Sequence, residues 1–118
     1  MSTPGKTFYD RQVDLLAKKD VKGLIDQQYH PDGILVGFEF TRRGRAELLA
    51  HYEGYMEHLG YIKLLSTDHF AEIEDAIFFE ATVETQIGIA VVYDVFILKD
   101  GKAMRHFTGI KSVRPKES

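Results

Sequence analysis

Apolar and polar residues follow two different periods along this chain of 118 residues, and the period changes near Gly60. Before that point apolar residues recur every three to four positions, which is typical of helices with one buried face. This spacing predicts three helices, over Thr7–Lys19, Val21–Tyr29 and Arg45–Leu59. Beyond Gly60 the period shortens toward two, which is typical of strands.

Local signals mark where the helices begin and end. Thr3 and Pro4 are suited to cap and start the first helix, and Asp20 is suited to cap the second. His30-Pro31-Asp32-Gly33 should end that helix as a turn, because the residue before proline avoids helical angles. Gly60 is a natural stop for the third helix.

The β-rich stretches predict five strands: Ile34–Phe40, Tyr61–Ile73, Ala76–Gln86, Ile89–Leu98 and Lys102–Val113. The segment Arg42–Arg45 is predicted as a polar turn. Asp100-Gly101 is a strong hairpin signal, so the last four strands should form an antiparallel meander. The order of elements predicts an α+β fold, in which helices lie on one face of an antiparallel sheet that curves around the third helix.

The strand Ile89–Leu98 is apolar on both of its faces. In a solvated antiparallel sheet one face should be polar, so both faces of this strand are expected to be covered. Helices can cover one face, and a second subunit is the simplest cover for the other, giving a homodimer. The alternative is a single apolar strand tolerated at the surface.

Asp94 is the one acid within that apolar run. A carboxylate on the buried face must be paired, hydrogen-bonded or neutral, and a buried carboxyl group that keeps its proton can act as a donor. A structural role is an equally weighted alternative, in which Asp94 only bonds a nearby tyrosine or Arg105.

Composition excludes several classes of protein. The chain has no cysteine, so it can form neither disulfides nor thiolate metal sites, and its net charge of −3 argues against nucleic-acid binding. The polar opening is unlike a signal peptide, and no apolar run approaches a membrane span of about 20 residues. A single domain over residues 1–118 and a cytoplasmic location are therefore expected. The five histidines show no metal-binding spacing, so neither a metal nor another cofactor is expected.

Several short motifs occur in an order that resembles the nuclear transport factor 2-like superfamily, above all its group of SnoaL-like polyketide cyclases and ketosteroid isomerase. The matching segments are Asp20–Ile25, Tyr29–Val36, Gly44–Leu49, Tyr93–Phe96 and Asp100–Lys102. The resemblance implies a cone-shaped, cystatin-like α+β barrel: a curved sheet wrapped around three helices, with a pocket at the open end. It also implies dimers through the outer face of the sheet.

The ketosteroid isomerase pattern is matched in only one of its three roles. Asp94 matches the protonated aspartate of that enzyme, which is a standard example of a carboxylic acid held neutral. The resemblance implies an aspartate general base at the position that Gly37 occupies here. It implies a phenol donor near the position that Gln12 occupies. Glu39 lies two residues beyond Gly37 on the same predicted strand and is a substitute candidate for the base.

SnoaL-like cyclases use an aspartate–histidine pair, for which the resemblance offers Asp94 and His106. A regular hairpin at Asp100-Gly101 would place His106 opposite Val95 and Asp94 opposite Phe107, on different faces of the sheet. A β-bulge near the turn would change that register. Whether the two side chains meet is therefore open at this point.

These observations favour a small-molecule-binding domain with an internal apolar pocket and cofactor-free acid–base chemistry on a hydrophobic carbonyl compound, of the isomerase, cyclase or dehydratase type. Asp94 would be the acid, with His106 or Glu39 as the base. The candidate ligand-binding residues are Gln12, Tyr29, Tyr52, Tyr55, Met56, Val92 and Phe96. A non-catalytic binding or self-association module is the alternative, and an accessory subunit that docks another protein through the sheet is a weaker one.

Overall fold

A computed structural model describes residues 3–116, which form three helices and six strands. The helices are α1 (Pro4–Ala17), α2 (Val21–Gln28) and α3 (Gly44–Leu59). The strands are β1 (Tyr29–Val36), β2 (Thr41–Arg43), β3 (Lys63–Ile73), β4 (Ala76–Thr85), β5 (Gly88–Lys99) and β6 (Lys102–Pro115). They form one sheet in the order β2-β1-β6-β5-β4-β3.

The helix ends confirm the capping signals. The Thr3 side chain accepts a hydrogen bond from the Lys6 N–H at 3.2 Å, and Pro4 is the first residue of α1. The Asp20 carboxylate accepts from the Gly23 N–H at 2.9 Å at the start of α2. Gly60 follows α3 with φ of 74°, a left-handed conformation that glycine adopts without strain.

The α+β prediction is confirmed, and the sheet is curved, mixed and open rather than closed into a barrel. Strands β3 to β6 form the expected antiparallel meander. Strand β1 runs parallel to β6, which makes the sheet mixed. The meander could be predicted because each of its turns is local, whereas the parallel pairing joins segments about 70 residues apart along the chain.

The first strand differs from its predicted span. It begins at Tyr29 instead of Ile34, because the predicted turn around Pro31 is a bulge within the strand: Tyr29 pairs with Ala103 and Ile34 with Arg105. Proline is tolerated at such a bulge, where its missing N–H breaks no ladder bond. The strand ends at Val36, before the predicted end at Phe40.

The predicted polar turn over Arg42–Arg45 is wrong, and its last two residues, Gly44 and Arg45, begin α3. Arg42 and Arg43 belong to the short strand β2, which pairs with the end of β1. The pairing satisfies the backbone of β2 without an apolar side chain, so the sequence pattern gives no sign of it.

The helices pack on the inner face of the sheet. The core there contains buried residues from all three helices and from the central strands, among them Phe8, Leu24, Leu48, Ile77 and Phe96. None of the helices within residues 3–116 is long and apolar enough to cross a membrane.

The second apolar face of β5 lies on the outer face of the sheet. Val95 pairs with Phe78 on one side and with Phe107 on the other, and Phe107 pairs in turn with Val36. Phe78 is 55% exposed and Phe107 is 43% exposed. We call Val36, Phe107, Val95 and Phe78 the outer apolar row.

Candidate functional site

A β-bulge in β6 brings His106 to the face of the sheet that carries Asp94. Leu98 pairs with Ala103 but Ile97 pairs with Arg105, so Met104 is an extra residue on β6. His106 therefore lies opposite Phe96 and Asp94 lies opposite Thr108. The regular register expected from the turn is wrong beyond Met104, and the bulge places His106 and Asp94 on the inner face.

Asp94 and His106 form a buried hydrogen-bonded pair. His106 Nε2 lies 2.7 Å from Asp94 Oδ1, and the two side chains are 4% and 12% exposed, respectively. The His106 ring stacks on Phe96 with centroids 3.8 Å apart. Because Phe96 packs against one face of the ring and Asp94 is hydrogen-bonded to Nε2, the orientation of the ring toward Asp94 is fixed.

Two tyrosines extend this pair into a chain of hydrogen bonds. The Tyr29 hydroxyl lies 2.8 Å from His106 Nδ1 and 2.6 Å from the Tyr52 hydroxyl. Burial raises the pKa of Tyr29, opposed only in part by hydrogen bonds from Tyr52 and Gln12. Burial also raises the pKa of Tyr52 well above its ordinary value, so both phenols keep their protons at neutral pH.

Counting protons gives the chain a direction. If Asp94 is a carboxylate, the proton of a neutral His106 ring is on Nε2 and donates to it, which leaves Nδ1 as an acceptor. Tyr29 then donates to Nδ1, and Tyr52 donates to Tyr29. Every hydroxyl proton of the chain is thereby directed toward Asp94.

The hydrogen-bonded chain that includes Asp94, His106 and Tyr52 borders a cavity of about 450 Å³ between the helices and the inner face of the sheet. Its walls are mostly apolar and include Val13, Leu35, Phe79, Val92 and Phe96. Asp94, His106 and Tyr52 contribute polar groups to this wall. Such a concave apolar space with a few converging polar groups is typical of small-molecule sites.

Most of the residues proposed from sequence line this cavity: Gln12, Glu39, Tyr52, Tyr55, Val92, Asp94, Phe96 and His106. Tyr29 does not; it is fully buried behind His106 and reaches the cavity only through its hydrogen bonds. Met56 does not line it either. It is buried one helical turn beyond Tyr52, toward the end of α3.

Glu39 occupies a different position from the one predicted. It lies in the loop between β1 and β2 instead of on a strand, and its side chain is exposed. Within residues 3–116 it makes no hydrogen bond or ion pair with Asp94 or His106. Because β1 ends at Val36, Gly37 and Glu39 are not on a strand, and the alternation of strand faces does not place their side chains on one side. Glu39 contributes to the rim of the cavity.

Sequence reasoning missed two polar residues of the cavity wall, His51 and Thr108. His51 is four residues before Tyr55 on α3, so the inward face predicted for Tyr55 also indicated His51. Thr108 lies opposite Asp94 only because of the bulge at Met104. Among the described residues, no cluster of three or more potential metal ligands is present.

Comparisons with known proteins identify the fold. No family model matches the chain, and no curated protein matches it in sequence. The solved structures that it resembles include a nuclear transport factor 2-like protein of unknown function from Burkholderia pseudomallei. That structure is 14% identical, with a TM-score of 0.80, and the alignment covers 93% of this chain and 92% of that one.

Two further structures carry names that point to small molecules. TerC, crystallised with polyporic acid, is 20% identical with a TM-score of 0.76, and 92% of each chain is covered. A SnoaL-like protein from Shewanella putrefaciens, named for the polyketide cyclases, is 12% identical with a TM-score of 0.78, covering 93% of this chain and 80% of that one. At these identities the likeness shows that the chain has the nuclear transport factor 2-like fold.

Proposed function

We propose that this protein binds a small hydrophobic carbonyl compound in the cavity and catalyses cofactor-free proton transfer on it, with Asp94 as the acid–base group. The observation that carries the proposal is the 2.7 Å hydrogen bond from His106 to Asp94 at the wall of a mostly apolar cavity. A titratable pair in an apolar, concave site is a common arrangement for acid–base catalysis.

The geometry supports separate roles for the two residues. Asp94 Oδ1 is bonded to His106, and Asp94 makes no second side-chain hydrogen bond within the described residues, so Oδ2 is available to a ligand. Both nitrogens of His106 are engaged, by Asp94 and Tyr29. His106 therefore orients Asp94, while Asp94 exchanges the proton.

The reaction begins at a carbon next to the ligand's carbonyl group. Asp94 Oδ2 takes a proton from that carbon, the C–H bond breaks, and its electron pair moves onto the carbonyl oxygen to give an enolate. When Asp94 returns the proton to another carbon, the ligand is isomerised. When the enolate carbon instead bonds to a second carbonyl carbon, the ligand is cyclised, and the new alkoxide oxygen takes the proton from Asp94. When the bond to a hydroxyl group on the next carbon breaks, that oxygen takes the proton from Asp94 and leaves as water, which dehydrates the ligand. The apolar walls disfavour free water, which keeps the intermediate on one of these paths.

The names of the similar structures support a hydrophobic, oxygenated ligand. TerC was crystallised with polyporic acid, and the SnoaL-like protein is named for polyketide cyclases. Ligands of that kind suit the walls around Phe79 and Phe96, because apolar walls bind the apolar surface of a ligand. The Asp94 carboxylate provides a polar contact that orients the ligand.

Exchange of ligand protons with solvent tests the proposal without knowledge of the natural substrate. The probe is 2-tetralone, a bicyclic ketone with acidic protons beside its carbonyl group, followed by proton NMR in D2O. We expect the protein to accelerate exchange and Asp94→Asn to abolish at least 90% of the acceleration, because a positioned general base typically contributes about 10²–10⁴-fold. Glu57→Gln, which changes an exposed carboxylate of α3 outside the cavity lining, is the matched control and should retain the activity.

A non-catalytic binding module is the second candidate, and one observation favours it. Asp94 and His106 are held in a continuous hydrogen-bonded chain with Tyr29 and Tyr52, as a purely structural network would be. If 2-tetralone binds but exchanges at the rate seen in buffer, in the wild type and in Asp94→Asn alike, this second function replaces the first.

We propose in addition that a second copy of the chain covers the outer apolar row. The row crosses four neighbouring strands without a polar interruption, and its two phenylalanines are strongly exposed. Sedimentation velocity should therefore show a dimer, and Phe78→Glu should convert it to a monomer. Ile87→Glu, at the turn between β4 and β5 and off the row, is the control that should leave the dimer intact. A monomeric wild type would contradict this part of the proposal.

A further inference from the structure

His51 is held at the cavity wall by aromatic neighbours. Its ring lies nearly parallel to Phe40, with centroids 4.8 Å apart, and to Tyr55, with centroids 6.0 Å apart. Tyr52 meets it edge-on at 5.4 Å. Three aromatic contacts limit rotation of the imidazole, and His51 lines the cavity.

Those nitrogens have no protein partner. His51 makes no hydrogen bond or ion pair with any described residue, whereas His106 uses both of its nitrogens. No fully buried side-chain nitrogen or oxygen within residues 3–116 lacks a hydrogen bond. The unbonded nitrogens of His51 are therefore accessible, and His51 lines the cavity.

We propose that His51 binds the oxygen atom of the ligand and donates its N–H to that oxygen while Asp94 takes the ligand's proton. This inference rests on the proposed function, because it assigns the second half of the same reaction. It makes His51 a catalytic residue that the sequence pattern did not single out.

The proposed reaction needs such a donor. When Asp94 removes a proton from carbon, negative charge develops on the carbonyl oxygen, and an aimed hydrogen-bond donor stabilises that charge. Tyr52 does not supply one in the resting chain, because its proton is directed to Tyr29. A neutral imidazole does supply one, since one of its nitrogens carries a proton.

The surroundings keep His51 in that neutral form. Burial is the largest cause that lowers the pKa of His51, followed by the positive charge of Arg42. The other titratable groups that contact its ring are the phenols of Tyr52 and Tyr55. Burial raises the pKa of Tyr55 to about 12, so this phenol is uncharged as well.

The step balances without a further reactant. The C–H bond of the ligand breaks, the proton forms an O–H bond on Asp94, and the electron pair moves to the ligand oxygen. The His51 N–H hydrogen bond to that oxygen shortens, and the imidazole keeps its proton throughout. No oxidation or reduction takes place.

A phenol that ionises near neutral pH tests the assignment, because its phenolate oxygen mimics the enolate. The probe is 4-nitrophenol, whose two forms differ in absorbance, titrated with wild-type protein across its ionisation. His51→Phe keeps an aromatic ring between Phe40 and Tyr55 but removes the donor, and His51→Gln restores one. His58→Gln alters an exposed histidine of the same helix and is the control.

We expect His51→Phe to weaken phenolate binding by roughly tenfold or more while binding of the neutral phenol changes far less, since hydrogen bonds to charged groups are the stronger ones. His51→Gln should recover part of the loss, and the wild-type His51 ring nitrogens should shift in 15N NMR when the probe binds. Equal phenolate binding by wild type and His51→Phe, with 2-tetralone exchange intact, would overturn the role of His51 alone. Absence of both probe binding and exchange would overturn the proposed function as well.

Discussion

Phe96 and His106 are direct partners across β5 and β6, and their rings stack at an angle of 21°. The stack supports the imidazole while its two nitrogens reach Asp94 and Tyr29. Phe96 also contacts Phe8 on α1 edge-to-face at 5.0 Å, so one side chain connects the helix layer to the hydrogen-bonded chain. Core packing and the candidate site therefore depend on the same residue.

Truncating this side chain should cost both stability and site geometry. Phe96 is 1% exposed, so we expect Phe96→Ala to lower the free energy of unfolding by about 3–5 kcal/mol. Urea denaturation followed by circular dichroism measures the change. Phe38→Ala is the control: Phe38 is 90% exposed and should change stability by less than about 0.5 kcal/mol. Equal effects in the two variants would contradict the packing described here.

The Asp94–His106 pair should show strong coupling because it is buried. In a double-mutant cycle built from Asp94→Ala and His106→Ala, we expect a coupling energy within the range of about 0.5–3 kcal/mol found for contacting residues, and in its upper half. The exposed pair of Lys111 and Glu80, with its nitrogen and oxygen 3.1 Å apart, should give less than about 1 kcal/mol in the same measurement. Independent effects of Asp94→Ala and His106→Ala would contradict the bond.

The buried phenols make stability fall in alkaline solution. Burial raises the pKa of Tyr29, Tyr52 and Tyr55 in the folded chain, to about 12 for Tyr55. The folded state therefore holds these protons more tightly than the unfolded state, whose phenols ionise near pH 10. The contribution of these phenols to the free energy of unfolding is fully present below about pH 10. It is lost as the pH rises through the pKa values of the phenols in the folded state.

Phenolate absorbance against pH, measured on the native protein, checks this expectation. Of the six tyrosines, Tyr9, Tyr29, Tyr52 and Tyr55 should ionise only at higher pH or on unfolding. Tyr55→Phe should remove one of the late-ionising groups and reduce the loss of stability between about pH 10 and 12. A single titration of all six tyrosines near pH 10 in the folded protein would contradict the burial of these phenols.

The features that could be predicted from sequence are those that depend on near neighbours in the chain. The caps at Thr3 and Asp20 need only the first turn of a helix, and the hairpin at Asp100-Gly101 needs only its own residues. The inward position of Asp94 follows from the alternation of β5, since its neighbours Val92 and Phe96 also line the cavity.

The features that escaped prediction depend on one extra residue or on a distant segment. The alternation of apolar and polar residues in β6 does not reveal that Met104 is an extra residue. The bulge at Met104 nevertheless determines that His106 contacts Asp94. The loop after Val36 removes Glu39 from the strand and brings Phe40 onto His51. Such placements are decided by tertiary packing, which a period counted along the chain does not contain.

The central claim is that the cavity holds a hydrophobic ligand beside Asp94, and NMR of the protein with 2-tetralone tests it most directly. Nuclear Overhauser contacts should join the ligand protons to Val92, Phe96 and Tyr55, with shifts concentrated on the cavity wall. The outer apolar row should be unaffected. Contacts confined to Phe78 and Phe107, or no binding at all, would contradict the claim.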